Sequence, residues 1–180
     1  ALVSFDKALE RAQAEQISPE RHAQLMFARA LALGSIGRTD DEIAVYEEID
    51  RRYSADNHHA LREQVAKALF NKGVSFGQIG RNDDELASYE EIDRRYGRDE
   101  DLALREQVAK ALINKGITLG QIGRTDDELT VYDEIGRRYG ADAGVTHTRV
   151  LSETRGSLGL YAGATLGDRF AAEFGWRRVG

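Results

Sequence analysis

The chain has 180 residues, a formal charge of −6, 41% hydrophobic and 31% charged residues, one proline and no cysteine. That length fits one compact domain or one run of stacked repeats, and the lack of cysteine excludes disulfides, thiolate zinc sites and a cysteine nucleophile. The mild net acidity and the absence of any Lys/Arg run longer than two argue against nucleic acid, and no stretch approaches the roughly 20 apolar residues that cross a bilayer.

In chain order, the first segment reads ALVSFDKALERAQ, with Leu2, Phe5 and Leu9 on one side of a helix. Ser18-Pro19-Glu20 then opens the next helix, with serine as cap and proline at the first helical position. Beyond it the chain repeats itself. The string GR(T/N)DDE begins at Gly37, Gly80 and Gly123, and LREQVAKAL begins at Leu61 and Leu104, always 43 residues apart. Tyr46, Tyr89 and Tyr132 keep that step, as do Ile49, Ile92 and Ile135, and Tyr53, Tyr96 and Tyr139. A fixed period of this length is the mark of a repeat architecture.

Each unit reads as two helices. In the middle unit the first covers roughly residues 61–79, with Val65, Leu69, Phe70, Gly73, Val74, Phe76 and Gly77 on one broad face. Gln64, Lys67, Asn71, Lys72 and Ser75 fall on the rest of the wheel. Gly80 ends this helix. The second helix starts at once: Asn82 and Glu85 have capping-box spacing, repeated by Thr39–Glu42 and Thr125–Glu128. Asp83, Asp84 and Glu85 suit the positive end of its dipole, and Arg94 and Arg95 the negative end. Leu86, Tyr89, Ile92 and Tyr96 form its buried stripe.

The ends are not whole units. Residues 1–17 match the second helix of a preceding unit, Phe5 standing in the place of Tyr46 and Ala8 in that of Ile49. Whole repeats follow at about 18–57, 58–100 and 101–140. After Gly140 the pattern decays into a segment with Gly156, Gly159, Gly163, Gly167 and Gly175. Residues 141–180 are expected to form a degenerate fourth repeat or cap, with helices near 148–165 and 168–178 and Trp176 as anchor.

No catalytic constellation is visible. The glycines punctuate helices, and neither a nucleophile elbow nor a phosphate loop occurs. The recurring Asp-Asp-Glu could hold a divalent cation, but capping and the helix dipole account for it at all three places. His22, His58, His59 and His147 lack zinc-site spacing. The expectation is a non-enzyme with no cofactor and no metal.

The helix–turn–helix unit resembles a tetratricopeptide repeat over residues 1–140. Leu69, Gly73 and Phe76 match that family's large–small–aromatic series in the first helix, as do Leu112, Gly116 and Leu119, and Met26, Ala30 and Leu33. Tyr46, Tyr89 and Tyr132 stand where the family has its second-helix aromatic. Several features depart from it. The unit is longer than the family's usual length of about 34 residues. Glu42, Glu85 and Glu128 replace a second-helix alanine, Ile49, Ile92 and Ile135 replace a small residue, and the inter-unit proline is missing.

The resemblance implies an all-α, right-handed superhelical solenoid whose first helices line a concave groove for a peptide or helix of a partner protein. The groove positions it implies are Phe27, Leu31, Phe70, Val74, Ile113 and Ile117, over a floor of Gly34, Gly77 and Gly120. Gln78 and Gln121 follow, with Lys67, Asn71, Lys110 and Asn114 at the edge. The aliphatic positions could equally bury against first helices of adjacent repeats. Lysine and asparagine stand only at the rim, which disfavours the carboxylate clamp of chaperone-type members. The implied role is a non-catalytic protein-interaction scaffold that binds neither nucleic acid nor membrane. The alternatives are a self-associating repeat protein whose copies stack end to end through the lone half-unit, or a regulatory segment of a larger signalling protein.

Overall fold

The structure, a computed structural model, describes residues 17–143 and, before them, the helical positions Leu2, Phe5, Lys7 and Arg11; for 140–143 it describes the backbone alone. Six helices are described: α1 (Pro19–Gly34), α2 (Thr39–Tyr53), α3 (His59–Gln78), α4 (Asn82–Tyr96), α5 (Leu102–Gln121) and α6 (Thr125–Ala143). There is no strand among the described residues. Helix α6 runs to Ala143, past the expected boundary at 140; the rest of the segment expected to be a degenerate repeat with Trp176, and most of the expected half-unit at 1–17, lie outside the described residues.

The helices pair because the turn between them is built the same way each time. Gly37, Gly80 and Gly123 have φ of 77°, 74° and 80°, a left-handed conformation that costs glycine little. The next residue's N–H reaches back to the helix: Arg38 to the Leu33 carbonyl at 3.0 Å, Arg81 to Phe76 at 2.9 Å and Arg124 to Leu119 at 2.8 Å. The glycine N–H bonds Gly34, Gly77 or Gly120 at 2.9, 3.0 and 3.1 Å. These two bonds define a Schellman motif, which satisfies carbonyls that a helix end leaves open. Above this turn the Arg81 guanidinium lies 4.4 Å from the Phe76 ring centroid.

The expected capping boxes do not form. Thr39, Asn82 and Thr125 are already the first helical residues, and the cap positions of α2 and α4 are Arg38 and Arg81, without a side-chain cap bond. The Schellman turn uses up the arginine and starts the helix one residue earlier than the capping-box reading requires. The arginines instead fold onto the first turn: Nε of Arg38, Arg81 and Arg124 donates to Asp41, Asp84 and Asp127 at 2.6, 2.7 and 2.7 Å. At α1 the expected cap is present, Ser18 accepting from the Arg21 N–H at 3.3 Å with Pro19 at the first position.

The chain divides between Ala111 and Leu112 into two compact units. In the first, α1 packs on α2, α2 on α3, α3 on α4, and α1 directly on α3. Its core joins Met26, Leu33, Tyr46, Ile49, Leu69 and Phe76 to the α4 stripe of Leu86, Tyr89, Ile92 and Tyr96. Full burial of each such aliphatic side chain contributes roughly 1.5–3 kcal/mol. Because α3 has neighbours on several sides, its buried surface is wider than one face: Ala66, Ala68 and Ser75 are buried too, Ser75 against the expectation of a polar face. The Ser75 hydroxyl is satisfied by the Asn71 carbonyl at 3.0 Å. Arg95 ties successive hairpins by donating to both Asp50 oxygens at 2.5 and 3.2 Å, and Arg62 pairs with Asp99 within the second. In the second unit, Leu112 and Leu119 of α5 and Val131, Ile135 and Tyr139 of α6 are buried.

Candidate functional site

The groove positions of the first unit lie on α1 and α3, which pack side by side. Leu31 is 46% exposed. Phe27 and Phe70 are half-buried because each ring leans on the tyrosine of its own hairpin, Phe27 on Tyr46 at 5.6 Å and Phe70 on Tyr89 at 5.9 Å between centroids. Val74 is half-buried and Gln78 exposed. The rim polar groups are engaged within their own helices. Asn71 Nδ2 donates to the Lys67 carbonyl at 2.9 Å, Lys67 pairs with Glu63 at 2.5 Å, and Lys110 pairs with Glu106 at 2.5 Å. In the second unit Ile113 is buried, Asn114 and Ile117 are half-buried and Gln121 is exposed.

Two further aliphatic residues of the first unit are exposed at the ends of these helices without having been singled out in the sequence. Ile36 is 58% and Ile79 43% exposed, each in the turn that follows a first helix. The signal was present, since isoleucine precedes the turn glycine in every copy (Ile36, Ile79, Ile122).

The glycines do not form a groove floor. A Cβ built on Gly34, Gly77 or Gly120 would meet the carboxylate of Glu42, Glu85 or Glu128, so these glycines face the second helix of their own hairpin. The three glutamates are 6%, 9% and 7% exposed. In the first two hairpins the carboxylate accepts the phenol one turn on, Tyr46 to Glu42 at 3.0 Å and Tyr89 to Glu85 at 3.1 Å. Burial, then the neighbouring Glu42 charge, pushes the Tyr46 phenol well above its ordinary range. Burial likewise raises the Glu128 carboxyl.

The described histidines each have their own partner. Nδ1 of His58 is 3.2 Å from Glu20 and Nδ1 of His59 is 3.5 Å from Asp101, while His22 Nδ1 shares a 2.7 Å hydrogen bond with the Tyr53 hydroxyl. Burial, then Arg52, lowers the His22 pKa. Among the described residues no group of three His, Cys, Asp or Glu side chains could hold a metal ion, and no helix is long and apolar enough to cross a membrane. No family model, curated protein or solved structure matches the chain.

Proposed function

We propose that the chain is a non-catalytic scaffold of tetratricopeptide-like hairpins that binds a peptide or helix of a partner protein across its first helices. One observation carries this reading: Leu31, Ile36 and Ile79 are exposed aliphatic side chains on α1, its turn and the turn after α3, two helices that pack directly together. Exposed aliphatics rimmed by polar groups such as Gln78 suit a partner's apolar anchors. A right-handed superhelical arrangement of the hairpins is part of the same proposal. The 43-residue period and the recurring turn support it.

The test is partner capture with the wild-type chain and with Leu31→Asp/Ile79→Asp. Both positions are exposed, so the variant should keep its helical circular dichroism and its melting temperature. Loss of the captured partners is the expected result. A folded variant that retains every one of them removes this reading.

A further inference from the structure

We propose that Gly34/Glu42, Gly77/Glu85 and Gly120/Glu128 are closing keys, in which a glutamate of the second helix fills the space a side chain on the first helix would need, and in the first two a buried tyrosine holds it there. The spacing of eight residues recurs in all three copies. The nearest glutamate oxygen lies 2.5, 2.7 and 2.7 Å from an ideal Cβ on Gly34, Gly77 and Gly120, closer than real Cβ contacts come. A glutamate on its own could swing away, since its carboxylate ends a flexible chain. In α2 and α4 it is held by burial and by the phenol of Tyr46 or Tyr89. Displacing it would strip a buried carboxylate of that donor.

The molecule supplies an internal control. One turn earlier, Gly73 and Gly116 face Tyr89 and Tyr132 just as closely, with ideal-Cβ distances of 2.6 and 2.7 Å. Yet the first hairpin carries a buried alanine, Ala30, at the equivalent position, so a methyl group is used there. The glutamate contact is glycine in every copy.

The key predicts a change of sign. Alanine is the better helix former by about 1 kcal/mol, so propensity alone makes Gly34→Ala stabilising. With Glu42 present, Gly34→Ala should instead lower the melting temperature of the full chain by roughly 3 °C or more. In a Glu42→Ala background the same substitution should raise it by about 2–4 °C. A Gly34→Ala chain that does not fold counts as lowered. Anything short of this reversal overturns the proposal. Should Glu42→Ala leave no folded chain, Gly34→Ala is compared with Gly120→Ala. A larger drop at Gly34, where the phenol bond holds the glutamate, supports the key, and an equal or larger drop at Gly120 overturns it.

Discussion

The first two hairpins and the third carry the same Glu-x-x-x-Tyr pattern on their second helix and use it differently. Tyr46 and Tyr89 are each 1% exposed and donate to Glu42 and Glu85. Tyr132 is only half-buried, and among the described residues no hydrogen bond joins it to Glu128. Its phenol is still pushed up to about 12, by burial and then by the Glu128 charge. In all three copies the glutamate packs against the first-helix glycine. Local sequence puts the glutamate on the inner face of the second helix in every copy, and the phenol bond accompanies the two tyrosines that are fully buried.

The largest expected effect is at that bond. Tyr46→Phe should cost about 1–3 kcal/mol, because a buried carboxylate loses its donor while the ring is kept. Tyr132→Phe should stay within about 0.5 kcal/mol. Urea denaturation of the two variants checks this, and equal losses would break the contrast between the hairpins.

Much of this organisation can be read from the residues. The 43-residue period, the glycine stops and the α4 stripe from Leu86 to Tyr96 follow from repetition, backbone freedom and helical spacing. The role of Glu42, Glu85 and Glu128 does not. Thr39 with Glu42 has the spacing of a capping box, and only the turn geometry, which shifts the helix start by one residue, turns that glutamate inward. Its partner is a glycine eight residues back on another helix, which no single-helix pattern contains. Ser75 escapes for a related reason: a one-faced reading of α3 assumes a single neighbour, and α3 packs against α1, α2 and α4. The same enclosure places Phe27 and Phe70 partly inside their own hairpins.

Acid sharpens the comparison with a smaller effect. Hydrogen bonds first from Arg94 and then from Arg95 hold Glu91 down at about 2. Its stabilisation is present above about 4.3, the ordinary glutamate value, and is lost as the pH falls through about 2. Glu128 runs the other way. Burial raises it, so its contribution is present below about 4.3 and is lost as the pH rises through the folded value. Glu91→Gln should therefore flatten the acid limb of melting temperature against pH. Glu128→Gln should be neutral or mildly stabilising at pH 7 and lose that advantage near pH 3. Each change should be about 1 kcal/mol or less, given partial solvent screening. Identical profiles for the two variants would erase the distinction.

The central claim is that one helical hairpin recurs every 43 residues with the same turn. Backbone NMR of the full chain measures this directly, through the φ-dependent couplings of Gly37, Gly80 and Gly123 and the exchange protection of the Arg38, Arg81 and Arg124 amides. The account predicts positive φ at all three glycines and three protected arginine N–H groups. A negative φ at any of these glycines, or an unprotected amide at one turn alone, would contradict it.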